Sequence, residues 1–341
     1  MSLDILEEGG GELLGWDHPD AVRRWRRREK SRAPTDRRMD AASAVDRFVD
    51  DGDVVTSGGF GHVRISTPII HEIIRQDVTD LGFLAKTSVF DLDLLIGAGS
   101  VSRVEAAYAF AHETRGLAPA SRRKVEGGEV EVVAEASNAT LQWRFLAAKM
   151  GVPFVPARVL AGTETFEKSS AKIVEDPWSG DPVTLIPAAF PDVAFIHVSK
   201  ADKYGNAVID GIAVEDPELA AATKRLIVTT EEVVDTEEIR DRPQDTDIPF
   251  FLVDAVVEAP YGSHPGEMPY EYYFDESHLA EWLSLSDTQE GTEEYLERYV
   301  TGTADFEEYL EAVGGEETLA ELEAIERYEQ DATYPWTEEE K

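Results

Sequence analysis

No cysteine occurs in the 341 residues, which excludes disulfides, thiolate metal sites and a cysteine nucleophile. Basic side chains are scarce: 32 Lys and Arg stand against 69 Asp and Glu, a formal net charge of −37. Long apolar runs are missing too, since no stretch approaches the roughly 20 residues that span a bilayer. The start, MSLDILEEGGGELLGW, lacks the basic segment and apolar run of a secretory signal. These absences predict a soluble, cytoplasmic protein with no membrane partner, and so negative a field argues against nucleic acid. The acids are spread along the whole chain and the few bases are mostly Arg, which predicts a halophile's protein. At molar salt a Debye length of about 3 Å would screen the self-repulsion. An ordinary acidic enzyme is the alternative. With 42% hydrophobic residues the chain can bury a sizeable core.

Three segments are expected. Residues 1–38 form an N-terminal arm with the only basic block, Val22-Arg23-Arg24-Trp25-Arg26-Arg27-Arg28. It reads as a clamp on phosphates or on an acidic partner, or as an arm that crosses the acidic body and neutralises it. Residues 39–266 read as an α/β domain. Asp40 can cap a helix through Ala44, Val45 and Phe48, and Asp53–Ser57 reads as a buried strand. A helix follows from Thr67-Pro68 through Ile74, with Pro where a first turn tolerates it. Further strands are predicted at Leu81–Ala85, Val130–Ala134, Val193–Val198, Leu226–Thr230 and Phe251–Val257, with helices at Thr140–Met150 and Pro217–Thr223. This alternation predicts an open, mostly parallel sheet with helices on both faces. Residues 267–341 read as an acidic, aromatic helical extension, with helices at Ser277–Leu285, Thr292–Val300, Asp305–Val313 and Glu316–Gln330. Tyr295, Leu296, Tyr299, Tyr309 and Leu310 recur there at the spacing of a packing face.

The chemistry is expected around Ser57-Gly58-Gly59-Phe60-Gly61, a glycine-rich loop between a strand and a helix. In a parallel sheet that is the carboxyl edge, where ligands bind and where glycines let backbone N–H groups approach them. The spacing is neither a dinucleotide fingerprint nor a P-loop, and a simple tight turn is the other reading. His62 and Arg64 share the loop. Arg64 can hold a carboxylate or phosphate in a fork, or pair with one of the many acids. Thr87 and Ser88 follow the next strand and either face the same crevice or cap a helix at Val89–Ile96. Glu105 on a strand and Glu113 on a loop are carboxylates to weigh as nucleophiles. The seven histidines are scattered without metal-site spacing, and no Gly-x-Ser-x-Gly elbow occurs.

Several segments together resemble the A subunit of family I, glutaconate-type CoA-transferases. They are Ser57–Phe60 with Arg64 and Pro68, then Asp93–Gly99 with Val104-Glu105. Gly116-Leu117-Ala118-Pro119 with Arg122-Arg123 and Leu141–Val155 continue the likeness. Asp192–Val198 leading into Ala201-Asp202-Lys203-Tyr204-Gly205-Asn206 follows, and then Ala259–Pro265. The resemblance covers about residues 40–325. It implies the CoA-transferase and ribose-phosphate-isomerase type of sheet, and transfer of CoA between an acyl-CoA and a carboxylic acid. Gly58, Gly59 and Phe60 would be an oxyanion loop, and His62, Arg64, Thr87, Ser88 and Glu105 would bind substrate. It also implies a homologous B-type partner in an α2β2 or larger assembly. That partner would carry the nucleophilic glutamate in a Ser-Glu-Asn-Gly-like setting. The nearest run here, Ser137-Asn138-Ala139-Thr140, has no acid. Coenzyme A enters as substrate, with no permanently bound cofactor and no metal. A CoA-dependent ring-opening hydrolase of the same fold and a non-catalytic sugar-phosphate sensor are the alternatives.

Overall fold

A computed structural model describes residues 4–335. Seven parallel strands form the main sheet in the order β12–β11–β9–β2–β3–β4–β5. These are β2 (Val54–Ser57), β3 (Leu81–Lys86), β4 (Val101–Ala107), β5 (Glu131–Glu135), β9 (Val193–Asp202), β11 (Arg225–Val234) and β12 (Ala255–Glu258). A two-residue strand, β10 (Ala207–Val208), turns back antiparallel on β9. The strands are near-continuous apolar runs, as a sheet covered on both faces requires; every residue of β3 is buried.

Side-chain alternation along the strands divides the interior into two cores. On one face, Phe83, Phe195 and Ile227 meet Ile69 and Ile70 of the helix Thr67–Arg75 and Leu94 and Leu95 of the helix Phe90–Ala98. On the other, Leu84, Ile196 and Val228 meet Leu141 and Phe145 of the helix Asn138–Met150 and Leu219 of the helix Asp216–Ala222. From β2 the chain builds outward through β5, then returns to lay β9 against the free side of β2. The order therefore reverses between β2 and β9, and the crevice beyond their carboxyl ends is the topological switch point.

A second, antiparallel sheet of four strands is absent from the sequence expectations. It pairs β1 (Ile5–Glu8), β7 (Lys172–Glu175), β8 (Pro182–Pro187) and β6 (Phe154–Ala157) in that order. Its strands have four to six residues and carry Pro156, Pro182 and Pro187, too short and too broken for a periodic signal. The expected strand at Phe251–Val257 also differs. Its first residues make a 3₁₀ turn after Pro249, and only Ala255–Glu258 pair.

The Arg-rich segment folds as a helix, Pro19–Glu29, and docks at the amino edge of the main sheet, opposite the glycine loop. Arg26 Nη2 donates to Thr223 O at 2.9 Å, and Lys30 Nζ pairs with Asp254 at 2.9 Å. Beyond Glu267, helices at Glu276–Leu285, Gln289–Leu296, Phe306–Ala312 and Gly315–Glu326 cover the Thr67–Arg75 and Phe90–Ala98 face, with Trp282, Tyr295, Tyr299 and Tyr309 buried. No described helix is long and apolar enough to cross a membrane.

Candidate active site

The glycine loop leaves β2 at the switch point, and its backbone donors are satisfied inside the chain. Gly58 N–H donates to Phe195 O at 2.9 Å across the reversal, Phe60 N–H to Val63 O at 3.1 Å and Gly61 N–H to Thr87 O at 2.9 Å. Gly59 N–H donates to Asp216 Oδ1 at 2.9 Å. Gly59 has φ +80°, and a Cβ there would lie 2.2 Å from Val63 O, so glycine is demanded by geometry alone.

Arg64 sits beneath this loop rather than at an open, ligand-facing edge. It is 1% exposed, forms an ion pair with Asp216 and donates through Nη2 to Ile212 O at 2.7 Å. A buried guanidinium needs such a partner, because the desolvation of an unpaired charge is several kcal/mol by order of magnitude. Asp216 thus binds Gly59 N–H with one oxygen and Arg64 with the other. Beside it Glu215 Oε2 lies 2.5 Å from Lys86 Nζ. Burial pushes the Glu215 carboxyl up to about 7 against the opposing pull of Lys86. Lys86 Nζ stands 4.9 Å from the Phe60 ring centroid. Phe60 is 38% exposed, whereas the other expected site side chains, from His62 to Glu105, are buried.

Thr87 and Ser88 do not open to the crevice either. Thr87 has φ +47°, its carbonyl receives Gly61 N–H, and its Oγ1 lies 3.1 Å from Asn138 Oδ1. Ser88 is buried and bridged to Gly61. Glu105 is drawn away altogether into a buried ion pair with Arg144, which also donates to Leu14 O at 2.7 Å. Its place is a tie between β4, the helix Asn138–Met150 and the N-terminal segment.

His62 belongs to a buried polar chain. Its Nε2 is 3.0 Å from His112 Nδ1, and His112 Nε2 is 3.4 Å from Asp93 Oδ2. Asp93 also accepts from Ser121 N–H (2.7 Å), Ser121 Oγ (2.6 Å) and Trp282 Nε1 (2.8 Å). Burial pulls His62 down to about 3, so its imidazole is neutral. At the outer end stand Glu113, 3.8 Å from His62 Nδ1, and Arg115, which forks onto Glu276 with two bonds of 2.7 Å.

Sequence reasoning missed Lys86, Glu215, Asp216, Asp91, Asp93, His112 and Arg115. Some carried a signal: a lysine ending an all-apolar strand, and two aspartates inside the apolar run Val89–Ile96. Asp91 receives the Ser57 hydroxyl, and burial raises its pKa.

Residues 38–259 match the family model for coenzyme A transferase. The chain is 63% identical over 334 residues to an uncharacterized protein of Archaeoglobus fulgidus, covering 98% of this chain and 75% of the relative. It is 32% identical over 293 residues to the A-type subunit of glutaconate CoA-transferase of Acidaminococcus fermentans, covering 81% of this chain and 91% of the relative. The crystal structure of glutaconate coenzyme A-transferase from that organism superposes with a TM-score of 0.80 at 31% identity, over 84% of this chain and 95% of that one. A seven-stranded parallel sheet with a glycine loop at its switch point, and this likeness over most of the sequence, agree: the chain belongs to the coenzyme A transferase family.

Proposed function

We propose that this chain is the A-type subunit of a heteromeric CoA-transferase that moves CoA between an acyl-CoA and a carboxylic acid. A homologous B-type subunit supplies the nucleophilic glutamate. The observation that carries this reading is the state of the acids at the switch point. Asp216, Glu215 and Asp91 beneath the loop are buried and engaged with Arg64, Lys86 and Ser57. A carboxylate that is to attack a thioester must be free to approach it, so it comes from outside this chain. The partner's carboxylate attacks the acyl-CoA carbonyl, forming an anhydride and releasing CoA. The CoA then attacks the enzyme-side carbonyl, giving an enzyme-CoA thioester, and a second acid repeats the exchange.

In this scheme the loop Gly58–Phe60 borders the thioester. Phe60 covers the Lys86–Glu215 pair, and Arg64 with Asp216 positions the loop. Gly59 N–H acts on the developing oxyanion once Asp216 Oδ1 yields its place, a contribution of about 3 kcal/mol per donor. The charge of −37 supports work in the cytoplasm of a cell of high ionic strength, so the assay belongs in molar KCl.

Glutaryl-CoA as donor and acetate as acceptor are suitable probes. The chain mixed with its B-type partner should form acetyl-CoA, and the chain alone should form none. Transfer by the lone chain at a rate the partner does not change would refute the heteromeric reading. Thiol release with no acetyl-CoA formed would assign the complex to hydrolysis instead.

A further inference from the structure

The chain of groups from Asp93 to Glu113 has a polarity set at its inner end. Asp93 is fully buried and accepts from Ser121 N–H, Ser121 Oγ and Trp282 Nε1. The backbone and indole groups are donors only, so Asp93 is the acceptor and His112 presents a proton to it from Nε2. His112 Nδ1 is then an acceptor, and the proton in the 3.0 Å contact lies on His62 Nε2. His62 Nδ1 is left with a bare lone pair. It faces Glu113 Oε2 at 3.8 Å and Arg115 Nη1 at 3.5 Å.

Glu113 stands at the crevice end of this chain. It is half-exposed, holds a left-handed backbone (φ +57°), and lies so close to the glycine loop that a Cβ on Gly61 would meet its Oε1 at 2.6 Å. A proton taken up by this carboxyl is met by an acceptor, His62 Nδ1, which is how a general base is supported. CoA transfer between two carboxylates moves no proton, so that reaction has no use for such a base. Water has.

We propose that Glu113 is a general base for water, giving the complex a second activity: slow hydrolysis of the CoA thioester when no acceptor acid is bound. Glu113 takes one proton from water as the water oxygen bonds to the thioester carbonyl carbon. Collapse of the tetrahedral species breaks the C–S bond, the sulfur leaves with the electron pair and recovers the proton from Glu113. The products are the carboxylic acid and the CoA thiol. The proposal rests on the reading of this edge as the thioester site.

The test uses the complex with its B-type partner and glutaryl-CoA, with thiol release followed without acceptor and acetyl-CoA formation followed with acetate. Glu113→Gln should slow acceptor-free thiol release about 100-fold and leave transfer within about threefold of the parent, which also certifies folding. Glu113→Asp, which keeps the carboxylate but withdraws it, should fall between the two. Transfer with thiol release no faster than in enzyme-free buffer, or release unchanged in Glu113→Gln, overturns the proposal and leaves the transferase reading standing. Equal loss of both activities, or a CoA adduct on Glu113 found by mass spectrometry, makes Glu113 part of the transfer machinery and also overturns it. A complex that transfers no CoA at all overturns the underlying reading, and this inference with it.

Discussion

Around the carboxyl ends of β2, β3 and β4, five residues other than glycine hold left-handed backbone: Arg64 (φ 58°), Thr87 (47°), Tyr108 (55°), Phe110 (68°) and Glu113 (57°). Between Glu276 and Glu326, in the helices that cover one face of the sheet, none does. Both regions bury polar groups, but they do so differently. In the helical extension, neutral or singly charged partners close short local pairs: Tyr295 with His278 at 2.5 Å, Tyr309 with His264 at 2.7 Å and Tyr299 with Glu281 at 2.8 Å. At the switch point whole charges are buried, Arg64 with Asp216 and Lys86 with Glu215, under a loop whose every turn is constrained. Each left-handed residue is a conformational cost of order 1–3 kcal/mol, and such residues gather where function overrides local preference. The extension supplies stability, while the carboxyl edge spends it.

Three substitutions test that contrast. The largest effect is expected from Asp216→Ala. It leaves Arg64 buried without its counter-charge and frees Gly59 N–H, which should lower unfolding stability by about 3–5 kcal/mol in urea titrations. A loss below about 1 kcal/mol would mean that water reaches Arg64 and that the pair is not buried in solution. Next is Tyr309→Phe in the extension. Removing the hydroxyl leaves His264 Nδ1 unsatisfied, for a loss of about 1–2 kcal/mol with the transfer rate per folded molecule unchanged. A drop in that rate would tie the extension to the chemistry and erase the distinction between the regions.

The smallest effect has the opposite sign. Tyr108 is 63% exposed, so its ring has little packing to lose in the lone chain. Tyr108→Gly relieves about 1–2 kcal/mol of left-handed strain, offset by the flexibility glycine adds to the unfolded chain. A net gain of under about 1 kcal/mol is expected in the same titration. A net loss would show that the ring already has a structural contact worth more than the strain.

Much of the main sheet was legible because its strands are continuous apolar runs bounded by glycine, proline or acids. The helix Ala41–Phe48 starts where Asp40 predicts, the Asp40 carboxylate accepting from Ser43 N–H at 2.6 Å. The tyrosines of the extension lie on a buried packing face, as their spacing predicts. The antiparallel sheet stayed hidden because its four strands lie far apart in the chain and none is long enough to display a period. At the candidate site the sequence located the loop but not its surroundings. Phe60 is the open side chain, while His62, Arg64, Thr87, Ser88 and Glu105 turn inward.

The alternation of strands and helices, the position of the glycine loop after a buried strand, and the acidic surface all follow from the order of residues alone. These are local properties of hydrophobic period, backbone permissiveness and composition. Which charges meet is a property of the folded chain. Arg64 and Asp216 are 152 residues apart, Lys86 and Glu215 129, and Glu105 and Arg144 39. In a chain with 69 acids, any base has many possible partners on paper. The low-dielectric interior selects the pairs that the sheet order brings together, because a charge buried there without its partner is too costly to keep.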